Sequence, residues 1–305
     1  MSQELKLGMI GLDTSHVTAF TELLHDKNHP YHVPGGRVVI AFPGGSQDFD
    51  LSRNRVAQFA ETLTQQYGVK MTKSAAEVAL QSDAIFLESV DGRVHRAQFE
   101  EIVSLGKPIF IDKPFALTSG DAAAMIQLAE KYRTTIMSCS ALRFSEPLNS
   151  ALNDRSKGEV IGIDMAGPMT IEPTQPGLFW YGIHPVEVLY AVLGRGCRRI
   201  EVITNTDHDL VVAEWEDGRI GTIRGNRKGN TSFIGTLHRE MQSVYLDISG
   251  SQKPFYASLL EQIMDMFRTH KSPIDTNETF EIIQFIEAAN KSRESGLPVA
   301  MAKVT

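Results

Sequence analysis

From Leu5 to Ser140 short apolar runs alternate with longer stretches in which apolar residues recur at helical spacing. Leu5–Ile10, Arg37–Phe42, Ala84–Ser89, Ile109–Ile111 and Thr134–Ser140 are too short for helices and rich in apolar and β-branched residues, so they read as buried strands. Helices are expected between them. One covers Val17–Leu24, with Phe20, Leu23 and Leu24 on one face and Thr14 or Ser15 as its cap. Others run from Ser52 to Tyr67, stopped by Gly68, and from the capping box Ser74-Ala75-Ala76-Glu77. Two more span Val94 to Leu105 and Thr118-Ser119 to Tyr132. Such alternation implies a parallel sheet with helices on both faces.

The pattern changes after Ser140. Strand-like segments fall at Val160–Met165, Ile200–Thr204, Leu210–Trp215 and Ile220–Arg224, with a hairpin signal at Asp217-Gly218. Helices are expected from Phe255 to His270, where Leu259, Leu260, Ile263, Met264 and Phe267 share a face, and from Asp275 to Glu294, with Glu278 completing a capping box. The fold class is therefore α/β: an N-terminal doubly wound parallel sheet over residues 1–141, then a C-terminal α/β domain over 142–305 with a largely antiparallel, open sheet.

Length and composition agree with this. The 305 residues are long for one core, and 42% hydrophobic with 22% charged residues is the balance of a globular protein. A net charge of −7 without a basic block argues against nucleic acid and anionic membranes as partners. The two cysteines, Cys139 and Cys197, have no CxxC spacing and read as reduced thiols. Met1–Gly11 lacks the charged start and apolar core of a signal peptide, and no 18-residue apolar run occurs, so a cytoplasmic location is expected.

Candidate chemistry gathers in three places. In Pro108–Phe115 a strand breaks off at Asp112-Lys113-Pro114, and ligands of open α/β sheets bind beyond the carboxyl ends of strands. Pro114 biases Lys113 away from helical backbone and so holds it at the strand end. Gly11-Leu12-Asp13-Thr14-Ser15-His16 follows the first strand and opens the first helix, as a dinucleotide loop does. In Phe179–Glu187, Pro185 suits a first helical position and would set His184 at a helix start, where the dipole favours the neutral, proton-accepting ring. His95 reads as a capping or packing histidine. His25, His29 and His32 lie in a loop broken by Asn28, Pro30, Pro34 and Gly35, so no metal site is expected there or elsewhere.

With these residues in view, the sequence resembles the glucose–fructose oxidoreductase/inositol dehydrogenase (Gfo/Idh/MocA) family. Asp112-Lys113-Pro114 looks like its Glu-Lys-Pro, and His95 like a histidine of the preceding helix. Arg143-Phe144 looks like its Arg-aromatic pair, and Gly182-Ile183-His184 like the end of its Asp-x-Gly-x-His. Ala288–Ser292 with Gly296–Val299 resembles its C-terminal segment. The resemblance implies a Rossmann domain, a second domain whose open sheet often makes a homo-oligomer, and NAD(P)-linked chemistry on a sugar, polyol or related hydroxy or carbonyl compound. It implies Lys113 and His184 as catalytic residues meeting on one substrate oxygen. Asp112, Trp180, Tyr181, Glu187, Arg143 and His95 would support the site.

Two departures cut against it. Only Gly11 of G-x-G-x-x-G survives, and Asp13 is expected to point its charge at the phosphate position, so that Asp13→Gly would tighten binding. Gly11, Leu12, Asp13, Thr14, Ser15, Ser46 and Lys113 remain the candidate cofactor contacts. Asp48 is the nearest acid for the ribose, and Ser46 with Arg53 or Arg55 offers a 2′-phosphate pocket, which keeps NAD, NADP and an empty cleft all open. The family's acid four residues before the histidine is Trp180 here, with Glu187 as a substitute partner for His184. The alternative is a non-redox descendant: a small-molecule sensor, or a lyase or isomerase on a polyhydroxylated acid.

Overall fold

A computed structural model describes residues 4–302 and divides the chain into two compact units. Of the described residues, the first holds those up to 116, 120–139 and 256–276; the second holds 117–119, 140–255 and those from 277 on.

In the first unit the chain runs β1 (Leu5–Ile10), α1 (His16–His25), β2 (Gly36–Phe42), α2 (Asp50–Tyr67), β3 (Lys70–Met71), α3 (Ala75–Gln81), β4 (Ala84–Leu87), α4 (His95–Ile102), β5 (Ile109–Ile111), α5 (Ser119–Tyr132) and β6 (Ile136–Met137). All strands are parallel, in the order β3-β2-β1-β4-β5-β6, so the order reverses between β1 and β4. The short apolar runs are strands because both faces are covered: every residue of β4 and β5 is buried. Gly68 ends α2 in the left-handed conformation (φ 68°), and the Ser74 hydroxyl caps α3 by accepting from Glu77 N–H. The two-residue strand β3 is too short to announce itself by periodicity, and β6 takes up only the centre of the run Thr134–Ser140.

The second unit contributes α6 (Glu146–Asn153), β7 (Val160–Pro168), α7 (Ile183–Leu193), β8 (Cys197–Thr204), β9 (His208–Trp215), β10 (Ile220–Asn226), β11 (Ile234–Arg239) and β12 (Ser243–Asp247). Then come α8 (Phe255–Thr269), α9 (Thr276–Ser295) and β13 (Val299–Ala300). Its seven-stranded sheet has the order β12-β11-β7-β10-β9-β8-β13 and is antiparallel except for the β7–β10 pair. Alternation along β9 buries Val211, Ala213 and Trp215 and leaves Leu210 and Val212 outward. On the inner face Tyr190, Trp215 and Phe285 pack ring against ring, and Trp215 donates to Gly194 O at 2.8 Å.

Nearly all of α8 belongs to the first unit, although it follows the second sheet in the chain. Phe267 packs on Phe86 at 5.1 Å and Tyr256 on His16 at 4.7 Å, so the apolar face read from the sequence closes the core of the earlier domain. Among the described residues no helix is long and apolar enough to cross a membrane.

Candidate functional site

The carboxyl edge of the first sheet carries an unusual density of buried polar groups. Gly11 (φ 82°) makes the turn after β1 and lies so close to β4 that a Cβ there would sit 2.3 Å from Ser89 Oγ. Gly11 N–H and Leu12 N–H donate to the carbonyls of Phe42 and Pro43, which extends the β1–β2 ladder. These two amides are thus used within the fold.

Asp13 also departs from expectation. It is fully buried; one carboxylate oxygen accepts from Ser52 Oγ at 2.6 Å and the other from Val90 N–H at 2.8 Å. The Asp13 carboxylate points into the protein and staples the loop to α2 and to the segment after β4. Burial raises its pKa against the pull of those bonds. Neither candidate residue caps α1: Ser15 is exposed at the helix start and its side chain makes no capping bond.

At the end of β2 the residues named for a 2′-phosphate have partners within the protein. Ser46 donates to Asp91 at 2.6 Å and its N–H bonds Ser52, while Arg53 pairs with Asp50. Asp48 is held by Arg93, which also grips Asp91. The second strand lacks a terminal acid in sequence, and folding brings Asp91 there from the loop before α4.

Beyond β4 and β5 stand Glu88 and Asp112, successive to the paired residues Leu87 and Ile111. Both are fully buried, and His16 Nδ1 lies 3.2 Å from an oxygen of each. Burial alone would lower the His16 pKa, but the two carboxylates raise it. Burial pushes Glu88 up; for Asp112 it is outweighed by His16 and Lys113, which hold it low. Asp112 also accepts from Lys113 N–H at 2.8 Å. Lys113 itself is buried, at the end of β5. His95 is clamped, with Nε2 2.6 Å from Ser89 O and Nδ1 2.9 Å from Pro114 O, so it ties the end of β4 to the segment carrying Lys113. Glu88 and His16 were not singled out from the sequence. The usable signal was an acid directly after a fully apolar strand, as at Asp112.

The second unit holds the other candidates. His184 is in the first turn of α7, with Pro185 as the third helical residue rather than the first. Its Nδ1 lies 2.7 Å from Ser140 Oγ, and the rings of Tyr181 and Phe233 flank it at 5.5 and 5.6 Å. Ser140 therefore stands where a carboxylate partner was sought. Glu187 does not serve: it is buried against Arg143 at 3.0 Å, and Arg143 also binds Glu278. Burial pushes the Glu187 carboxyl up to about 7 despite Arg143. Arg143 is thus held between two carboxylates, Glu187 and Glu278. Trp180 is buried and meets Tyr181 edge-on at 6.1 Å.

Residues 49–139 match the Gfo/Idh/MocA family, an oxidoreductase family with an NAD-binding Rossmann fold. The match begins beyond β2, after the loop that has lost its glycines. Solved structures of this fold cover nearly the whole chain. GenD2 from gentamicin A biosynthesis, in complex with NAD, is 17% identical, with 99% of this chain and 98% of that one covered and a TM-score of 0.78. Myo-inositol 2-dehydrogenase from Lactobacillus plantarum is 13% identical over 98% and 100%, with a TM-score of 0.80. Myo-inositol dehydrogenase from Lactobacillus casei, in complex with NAD(H) and myo-inositol, is 14% identical over 99% and 98%, with a TM-score of 0.77. At such identities the likeness is one of fold. No curated protein matches the sequence significantly.

Proposed function

We propose that this chain is a divergent member of the Gfo/Idh/MocA family and an NAD-dependent oxidoreductase acting on a sugar, polyol or related small hydroxy or carbonyl compound. The observation that carries the reading is Asp112-Lys113-Pro114 at the end of β5, inside the stretch that matches the NAD-binding family.

The loop fits a dinucleotide at its phosphate end. With Asp13 turned inward its charge no longer faces that position, and the start of α1 at Thr14 and Ser15 offers N–H and hydroxyl donors to a diphosphate. Asp48 and Asp91 beside Arg93 leave net negative charge near the ribose end, which favours NAD over NADP. A bound nicotinamide supplies the hydride chemistry. In this reading Lys113 donates a hydrogen bond to the substrate oxygen and stabilises negative charge there. His184 gives its Nδ1–H to Ser140 Oγ and takes the hydroxyl proton on Nε2.

The outward face of the second sheet carries Ile203, Leu210, Val212, Ile220 and Tyr245, all substantially exposed. An apolar face of this kind suits a second copy of the chain, which makes a homo-oligomer part of the proposal.

The test is a titration with NAD⁺, NADH, NADP⁺ and NADPH read by nicotinamide fluorescence, followed by turnover on a panel of inositols and sugars. Micromolar binding of NAD(H) with reduction of NAD⁺ by one polyol is expected. Failure of all four to bind would favour the non-redox alternative, a sensor or a lyase or isomerase, for which the consumed amides of Gly11 and Leu12 already speak.

A further inference from the structure

We propose that His16, Glu88 and Asp112 form a binding site for a first-row divalent cation, zinc or manganese, at the carboxyl edge of the first sheet. The site lies within one unit and does not depend on a dinucleotide or on the redox reading.

The three residues come from separate elements that the fold brings to one point. His16 is the first residue of α1, and Glu88 and Asp112 follow two neighbouring strands in register. One ligand atom from each lies within 4.8 Å of the others, and His16 Nδ1 is 3.2 Å from both Glu88 Oε2 and Asp112 Oδ1. A ring nitrogen carries at most one proton, so it cannot donate fully to two carboxylates. Charge-assisted bonds of this type run to about 2.7–2.9 Å, shorter than either contact. The separation suits ligand atoms that share a cation: bonds of roughly 2.0–2.2 Å in tetrahedral geometry place ligands about 3.3–3.5 Å apart.

A second observation points the same way. Glu88 Oε1 and Asp112 Oδ2 are buried and have no hydrogen-bond partner among the described residues. Buried carboxylate oxygens without partners are uncommon because their desolvation goes uncompensated. A cation coordinated by these groups would satisfy them.

Charge fits as well. Two carboxylates and a neutral imidazole balance a dication. Asp13 adds negative potential nearby, and Lys113, whose N–H binds Asp112, is the opposing cation. The rings of Phe20 (5.2 Å) and Tyr256 (4.7 Å) hold the His16 plane. One nitrogen and carboxylate oxygens select zinc, manganese or their neighbours over calcium. This assigns a metal where the sequence suggested none. The histidines that follow are not the place: His25, at the end of α1, accepts from Val38 N–H, His29 from Tyr31 N–H, and His32 bonds Leu23 O.

The experiment titrates the chelator-treated full chain with Zn²⁺ and Mn²⁺ alone by calorimetry, beside Glu88→Gln and His29→Ala. One equivalent should bind the wild type and His29→Ala alike, with affinity reduced at least tenfold in Glu88→Gln. No stoichiometric binding to the wild type, unchanged binding in Glu88→Gln, or loss in His29→Ala would each overturn the proposal. Should Glu88→Gln fail to fold, histidine ¹⁵N spectra of the wild type decide. Zinc must shift the ring nitrogen of His16; shifts confined to His25, His29 and His32 would refute the site.

Discussion

Replacing Asp13 tests the largest difference between the loop as a sequence and the loop as folded. The outward carboxylate expected from the glycine fingerprint predicts a gain in cofactor binding for Asp13→Gly, whereas the observed one predicts a loss of stability. Asp13 accepts from Ser52 Oγ and Val90 N–H in a fully buried setting. Removing it orphans two buried donors at about 1–3 kcal/mol each, and part of this is offset because the carboxylate no longer pays its own desolvation. Asp13→Ala should therefore cost roughly 2–4 kcal/mol, and Asp13→Gly somewhat more because it also frees the backbone. Asp13→Asn should cost about 1 kcal/mol. Its oxygen can still accept from Val90, but its NH₂ must face Ser52, whose oxygen already accepts from Ser46 N–H. The assay has to report on the right unit. Trp180 and Trp215 both lie in the second, so tryptophan fluorescence would miss the event. Urea titration by circular dichroism, with hydrogen exchange across residues 84–95, reads it directly. An unprotected Val90 amide is expected in Asp13→Ala. Stability within about 0.5 kcal/mol of wild type, together with tenfold tighter NAD⁺ binding by Asp13→Gly, would refute the inward carboxylate.

If the proposed chemistry holds, Lys113→Ala and His184→Ala each lower kcat on the order of 10²-fold or more, and unchanged turnover in both removes their roles. Ser140→Ala should lower kcat about tenfold with little change in KM, because it orients His184 through a single hydrogen bond; a change in KM alone would mean it acts on substrate. The Glu187 carboxyl, raised from 4.5 to about 7, gives stability that is complete below pH 4.5 and lost as pH rises through 7, up to about 3 kcal/mol. Urea midpoints at pH 5 and 7.5 should therefore converge in Glu187→Gln, and an unaltered pH slope contradicts the assignment. Val212→Arg on the outward sheet face should yield a monomer by light scattering, and an unchanged mass excludes that face.

What the sequence disclosed follows from how far each signal reaches. The βα alternation, the antiparallel second sheet and the positions of Lys113 and His184 all rest on local periodicity, or on a proline or glycine a few residues away. The strands β11 and β12 were missed because Gly235 and the polar Ser243 and Asp247 dilute their alternation. Most misjudged side chains failed for one reason: the partner is distant in sequence. Asp13 is answered by Ser52 and Val90, Ser46 by Asp91, Glu187 by Arg143 and His184 by Ser140. None of these pairings leaves a trace in spacing. Residue type shows that a group can carry charge, but only the fold decides whether that charge faces a ligand or another residue.

The late return of α8 to the first unit has a consequence for synthesis. A nascent chain that has emerged only as far as Ser140 has its whole parallel sheet but lacks Tyr256 and Phe267, the rings that cover His16, Phe20 and Phe86. Elongation runs at roughly 5–20 residues per second, so this aromatic face waits on the order of ten seconds for its lid. During that interval it is a ready target for chaperones and for other unfinished chains, and the ribosome must deliver most of the second unit before the first can close.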